Sequence, residues 1–186
     1  ASLLNIGLLN IYRAEYKIAE DYLLKSARIY ESIDGRDGLV LCYQNLASLW
    51  FEYGNMEKAI EFNTLNYNIS KELDDKTGLA KACQNLGECH SQIGDYEQAL
   101  AYFIESNNIK IQLEDSKGIA ASNSSIGHIH YLQDHFIEAL EYYRKSLQTN
   151  IAIGYEMGIA GGYGNVGTIF NEQNQAIKLS SVRLEK

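Results

Sequence analysis

The chain is built from an internal repeat with a period of about 40 residues, a length typical of stacked helical repeats. This period limits the folds that the chain can adopt more than any other feature. Glycine recurs once per period, at Gly38, Gly78, Gly118 and Gly158. Asparagine recurs at the same spacing, at Asn5, Asn45, Asn85 and Asn165, with Ser125 in the missing place. We therefore divide residues 1–186, as one repeat domain, into copies 1–40, 41–80, 81–120, 121–160 and a partial, degenerate copy 161–186.

Each copy carries the pattern of two helices, which is clearest in the third. Its apolar and small residues step by three and four along one helical face, at Leu79, Ala82, Cys83, Leu86, Cys89, His90 and Ile93. Gly94-Asp95 then supplies turn chemistry, and a second apolar stripe begins at Tyr96 and fades at 113–115. Asp75 and Asp115 are placed to cap the next first helix, because a short carboxylate accepts hydrogen bonds from free backbone N–H groups.

One two-helix copy is too small to be stable alone. Ordering such a copy costs about 60 kcal/mol, which requires burial of roughly 2,400 Å² of apolar surface. Stacked copies bury the second face of each unit, so that stability becomes a sum over units and interfaces. The sequence therefore predicts an all-α fold, an α-solenoid of stacked antiparallel helix pairs. Within a pair, Gly87 and Ala99 are predicted to mark the closest approach of the two helices.

The composition argues against nucleic acid and membranes as partners. The chain has 24 acidic and 16 basic residues, a formal net charge of −8, which repels a phosphate backbone. No apolar run approaches the length of a membrane span. Cys42, Cys83 and Cys89 lie within apolar helical patterns and are interpreted as small buried thiols. Because three cysteines cannot all pair and nothing resembles a C-x-x-C site, we expect a reducing, cytoplasmic location.

The segment GYGNVG, residues 162–167, has the G-x-G-x-x-G spacing of a dinucleotide-binding turn. That turn requires a strand before it and the start of a helix after it. Here the segment shares the register of ACQNLG (82–87) and CYQNLA (42–47), so it is predicted to lie in the middle of a first helix. We therefore predict no phosphate binding and no cofactor, and a weak or closely packed first helix in the last copy.

The histidines and carboxylates do not form a recognisable catalytic or metal-binding pattern. His90 and His130 share one register with Trp50 and Phe170, which indicates an aromatic core position and packed histidines. No H-E-x-x-H and no G-x-S-x-G occurs, and helical carboxylates such as Glu138 are interpreted as a solvated face. The chain is predicted to hold no metal and not to be an enzyme.

The pattern resembles the tetratricopeptide repeat. The third copy carries that family's marks at Leu86, Gly87, Gly94, Asp95, Tyr96 and Ala99. The second copy departs from them at Ala47, Asn55 and Met56, and the usual terminal proline is absent. The unit is also longer than the family's usual length of about 34 residues. This length resembles the long-repeat subgroup of LGN/Pins-type adaptors and bacterial regulatory arrays. The resemblance implies a right-handed superhelix whose members mostly bind other proteins.

The resemblance also implies a concave groove lined by the first helix of each repeat. The matching positions are candidate peptide-binding residues: Gln44, Asn45, Ser48, Glu52, Lys81, Gln84, Asn85, Glu88, Gln92, Ser124, His128, Tyr131, Asn165 and Thr168. The recurring asparagines are of particular interest, because an amide carries both a donor and an acceptor and can hold a peptide backbone. The alternative is that these asparagines brace neighbouring helices.

We therefore expect a scaffold that binds an extended protein or peptide segment. The alternative hypothesis is a regulatory module of a larger signalling protein, such as a kinase, cyclase or transcription regulator, whose effector domain lies elsewhere. Residue 1 falls inside a first helix, so the chain is expected to be a segment of a longer protein. Leu3, Leu4 and Leu8 would then form an uncapped apolar face, and self-association through this end is expected.

Overall fold

The computed structural model describes the backbone of residues 16–184 and the side chains of residues 16–172. This part of the chain consists of helices joined by short turns, without a strand. Its helices are α1 (Tyr16–Ser32), α2 (Arg36–Tyr53), α3 (Met56–Glu72), α4 (Lys76–Gln92), α5 (Tyr96–Gln112), α6 (Ser116–Leu132), α7 (Phe136–Ala152) and α8 (Glu156–Leu184). None of the described helices combines the length and apolar character that crossing a membrane requires.

The helix pairs confirm the predicted α-solenoid, and the chain divides into two compact units, 1–109 and 110–186. In unit 1, α2 packs against both α1 and α3, and α3 packs against α4. In unit 2, α6 packs against α7 and α7 against α8. The predicted contact face at Leu3, Leu4 and Leu8 lies outside the described residues, so self-association through it stays a prediction.

The joints between copies are held by the predicted aspartate caps. The Asp75 carboxylate accepts a hydrogen bond from the backbone N–H of Gly78, and Asp115 accepts one from Gly118, at 3.0 and 2.9 Å. This position must be glycine, because a Cβ at Gly78 would lie 2.2 Å from an oxygen of the capping carboxylate. Cap geometry therefore accounts for Gly78 and Gly118, which confirms the assigned role of Asp75 and Asp115, whereas Gly38 packs against the Tyr30 ring and Gly158 against Asn150.

Within a hairpin, a small residue faces an aromatic ring. A Cβ added at Gly87 would lie 2.6 Å from the Phe103 ring, and one added at Gly127 would lie 2.9 Å from the Tyr143 ring. Phe103 and Tyr143 are buried, so neither ring has free space into which to move. The contact at Gly87 is with the ring of Phe103, and the closest approach of the two helices at Gly87 and Ala99 stays a prediction.

GYGNVG lies inside α8, as predicted, and is not a phosphate-binding turn. In the described residues, the degenerate last copy lacks the turn that separates the two helices of the other copies, because α8 continues without interruption for 29 residues. Phe170 is consequently 44% exposed, whereas His90 and His130 at the same register stack on Tyr102 and Tyr142 of their own second helices. The prediction of a buried aromatic at residue 170 was therefore wrong, since no second helix of that copy covers it in the described residues.

The three cysteines are buried thiols, as the sequence indicates. Burial raises the pKa of Cys89 to about 11 and also raises the pKa of Cys42. Both thiols are therefore neutral near pH 7, which makes them poor nucleophiles.

Candidate functional site

Four predicted groove residues meet at one cleft in unit 1, which we call the acceptor cleft. Helices α2, α3 and α4 form it, and its volume is about 140 Å³. The residues that line it are Ala47, Ser48, Phe51, Glu52, Asn63, Asn85, Glu88 and Cys89. A single water needs about 10–15 Å³ on this measure, so the cleft is large enough for a side chain from a partner.

The polar groups that remain open in the acceptor cleft are mostly hydrogen-bond acceptors. The Asn85 Nδ2 group donates to Asn63 Oδ1 at 3.2 Å, which leaves Asn85 Oδ1 open among the described residues. Glu88 accepts one hydrogen bond from Gln84 at 3.0 Å, and Glu52 has no partner among residues 16–172. Two carboxylates and an amide oxygen therefore face a cleft whose wall also carries the Phe51 ring.

The acceptor cleft exists because the second copy departs from the repeat. Asn63 stands one period before Phe103 and two periods before Tyr143, so an amide replaces the aromatic ring of the later copies. The facing position changes in step, since Ala47 replaces the glycine found at Gly87 and Gly127. Asn63 is only 2% exposed and lines the cleft from α3. It was not among the predicted site residues, although its deviation from the aromatic series could have identified it.

Three of the four asparagines of the recurring series have different surroundings, and Asn5 lies outside the described residues. Asn45 Nδ2 donates to the carbonyl of Leu41 on its own helix at 2.7 Å. Asn85 donates to Asn63 on α3, and in unit 2 Asn165 Nδ2 donates to Ser124 Oγ at 3.1 Å. The amide nitrogens of Asn85 and Asn165 thus brace neighbouring helices, whereas their oxygens stay open to a ligand among the described residues.

The remaining predicted groove residues lie outside the acceptor cleft. In unit 1, Lys81 Nζ lies 3.4 Å from Gln44 Oε1, and Gln92 is at the end of α4. In unit 2, the exposed His128 stacks on Tyr131, and Thr168 Oγ1 donates to the Gly164 carbonyl of its own helix. The tertiary structure therefore groups Ser48, Glu52, Asn85 and Glu88, and separately groups Ser124 with Asn165.

His90 and His130 are packed, as predicted. His90 Nδ1 lies 3.1 Å from Asp95 Oδ2, and its ring stacks on Tyr102. The ring of His130 lies 5.5 Å from Tyr142, and its Nδ1 is buried without a partner among the described residues. No three His, Cys, Asp or Glu side chains are close enough to share a metal ion in this part of the chain.

Burial lowers the pKa of His130, against the opposing field of Glu138, and His135 adds to the lowering. The neutral imidazole is thus the form that packs, and its stabilising contribution is present above the ordinary pKa of 6.5 and lost as the pH falls below it.

We expect the melting temperature to drop more steeply between pH 7.5 and 5.5 in the native protein than in His130→Phe. His128→Phe, at an exposed position on the same helix, is the control and should keep the native slope. An equal dependence of melting temperature on pH in the native protein and in His130→Phe would contradict the packing of His130 as the neutral imidazole.

Residues 79–152 match the sequence profile of the tetratricopeptide repeat. This confirms the predicted resemblance to the tetratricopeptide repeat for copies three and four. None of the curated proteins compared with the chain is significantly similar to it in sequence. The assignment to the long-repeat subgroup stays a prediction.

Solved structures share the fold at low sequence identity. The chain is similar to the apo form of RapI, with 19% identity, a TM-score of 0.83, and coverage of 98% of this chain and 67% of that one. It is also similar to a Rap protein complexed with Competence and Sporulation Factor, with 17% identity, a TM-score of 0.72, and coverage of 96% and 54%. A third structure is a signal-transduction ATPase with a tetratricopeptide-repeat sensor from Pyrococcus horikoshii, with 15% identity, a TM-score of 0.83, and coverage of 98% and 29%.

Proposed function

We propose that the chain is a non-catalytic interaction module that binds an extended segment of a partner protein along its first helices. The observation that carries this proposal is the acceptor cleft, where Ser48, Glu52, Asn85 and Glu88 converge on a pocket of side-chain size. The structural likeness to a Rap protein complexed with Competence and Sporulation Factor adds support from the fold.

The chemistry of the acceptor cleft favours a cationic side chain of the partner. An ammonium or guanidinium group carries donors alone, which match the open oxygens of Glu52, Glu88 and Asn85. The Phe51 ring offers a flat surface on which a guanidinium can stack. Unit 1 as a whole has nine basic against 16 acidic residues, and this charge would draw a basic segment toward it.

A peptide library displayed on phage and selected against the full chain tests this proposal. We expect the selected peptides to be enriched in Lys and Arg, and their binding to weaken about tenfold in Glu52→Gln/Glu88→Gln, which removes two charge-assisted hydrogen bonds. Glu61→Gln/Glu97→Gln is the control, because it removes the same charge from exposed positions of unit 1. Peptides without basic residues, or equal losses in the two double variants, would reject the proposal.

Filling the acceptor cleft gives a second, independent variant. Asn63→Phe combined with Ala47→Gly restores the glycine–aromatic pair of the third copy, so the helices keep their spacing while the cleft closes. We expect an unchanged circular dichroism spectrum and loss of peptide binding. Asn63→Phe also removes the acceptor of the Asn85 hydrogen bond, so the melting temperature of the variant is measured beside its peptide binding.

The alternative function is a sensory or regulatory module of a larger signalling protein. The likeness to the tetratricopeptide-repeat sensor of the Pyrococcus horikoshii ATPase favours it, because that sensor is one part of a longer chain. A reading frame that continues into a kinase, ATPase or DNA-binding domain would support this alternative, and peptide binding at the acceptor cleft would then be the input signal.

A further inference from the structure

Unit 2 contains a second cleft, which we call the glycine cleft. It lies among α6, α7 and α8 and has a volume of about 280 Å³. Ser124 lines it from α6, Ser146 and Asn150 from α7, and Gly161 and Gly162 from α8. The glycine-rich segment around GYGNVG therefore forms one wall of a cavity.

The glycine cleft lies at a place where two polar side chains meet in the preceding copy. In that copy, Lys110 Nζ donates to Ser122 Oγ at 2.9 Å across the equivalent helix pair. The residues one period later are Asn150 and Gly162. Because glycine has no side chain, Asn150 has lost the partner that its position possesses in the earlier copy.

Two buried polar side chains line the glycine cleft without a partner. Asn150 is 6% exposed and Ser146 is 4% exposed, and neither side chain forms a hydrogen bond with the described residues. The equivalent serine one copy earlier, Ser106, donates to the Ala80 carbonyl at 2.8 Å. The polar atoms of Ser146 and Asn150 are not among the buried, unpartnered side-chain atoms of the described residues, so they are accessible from the cleft and can pair with a ligand there.

We propose that the glycine cleft binds the carboxamide group of an asparagine or glutamine side chain from a peptide partner. A carboxamide carries one acceptor and two donors, so it can pair head to tail with the Asn150 amide and also contact Ser146. A carboxylate fits less well, because burying it beside neutral groups costs desolvation energy. Lys117 also lines the cleft, with its ammonium group 4.2 Å from the centre of the Tyr155 ring, so a glutamate probe is compared with the glutamine probe in the test below.

The wall of α8 allows a peptide backbone to approach closely. A Cβ added at Gly161 would meet no atom within 4 Å, so space is open above this residue. Unit 2 has seven basic and eight acidic residues, and this near balance suits a neutral ligand group. The inference rests on the proposed function in one respect, since it takes the carboxamide to belong to a peptide. The glycine cleft lies in unit 2, whereas the acceptor cleft lies in unit 1.

Nuclear magnetic resonance titration of the full ¹⁵N-labelled chain tests the inference with three blocked amino acids. The probes are the N-acetyl methylamides of glutamine, glutamate and leucine, which have similar size and different polarity. We expect the glutamine probe to shift the side-chain NH₂ signal of Asn150 and the backbone signals of Gly161 and Gly162. We expect about tenfold weaker binding of the other two, because each lacks one or both hydrogen bonds to Asn150.

Two variants separate the glycine cleft from other surfaces. Gly161→Leu fills the open space and should abolish the shifts, whereas Gly164→Leu, also without atoms within 4 Å but outside the cleft, should leave them unchanged. Equal or tighter binding of the glutamate probe would show that charge is recognised, and equal binding of the leucine probe would show an apolar pocket. Either result overturns the proposal, and neither bears on the acceptor cleft, which the charge variants of unit 1 test.

Discussion

Replacing Phe103 with alanine is expected to lower the free energy of unfolding by about 3–5 kcal/mol. Phe103 of α5 is 2% exposed, and its ring lies directly over Gly87 of α4. The neighbouring helices cannot fill the space of a ring, so the variant loses both the transfer free energy and the contacts around the cavity. Urea unfolding followed by circular dichroism measures the change.

Gly87→Ala provides the internal control for this prediction. In the native background the added methyl group collides with the Phe103 ring, and we expect a loss of about 1–3 kcal/mol. In the Phe103→Ala background the methyl group enters empty space, and the higher helix propensity of alanine, about 1 kcal/mol, should make the same change stabilising. An identical effect in both backgrounds would show that the two positions do not interact.

Replacing Trp50 with alanine is expected to cost a similar amount, about 3–5 kcal/mol, whereas Trp50→Phe should cost clearly less, because it keeps one aromatic ring in the core. Trp50 is 9% exposed and belongs to the core of unit 1, and Lys58 Nζ lies 3.7 Å from its ring centre. The indole Nε1 is buried with no acceptor among the described residues, so phenylalanine loses no hydrogen bond and keeps a ring face for Lys58.

The comparison of the two Trp50 variants is the decisive measurement. Both should be followed by circular dichroism, because Trp50 is the only tryptophan and its fluorescence disappears with it. Equal losses in Trp50→Phe and Trp50→Ala would mean that the indole N–H contributes a hydrogen bond, contrary to this account.

Much of the fold could be predicted because helix boundaries depend on neighbouring residues. The capping aspartates Asp75 and Asp115, the glycines that follow them, and the turn at Gly94-Asp95 act within one helical turn. Repetition of these signals once per period was enough to predict the helix pairs. The same local rule failed at Phe170, because burial there depends on whether a second helix follows and packs over it.

The candidate sites were only partly predictable, because a cleft depends on side chains from different helices. Register alone selected Glu52 and Glu88 as groove residues, but it did not identify Asn63, which faces them from α3. Register also suggested that Asn85 contacts a ligand, but it did not show that the amide nitrogen of Asn85 donates a hydrogen bond to Asn63.

The sequence by itself determined the repeat, the helix pairs and the positions of their caps, since these follow from backbone geometry over short stretches of chain. The tertiary structure decided where the repeat leaves space. A cavity depends on the volumes of side chains that meet across helices, such as Ala47 with Asn63 or Asn150 with Gly162. The two members of each pair lie on different helices, and only packing brings them to the same cleft.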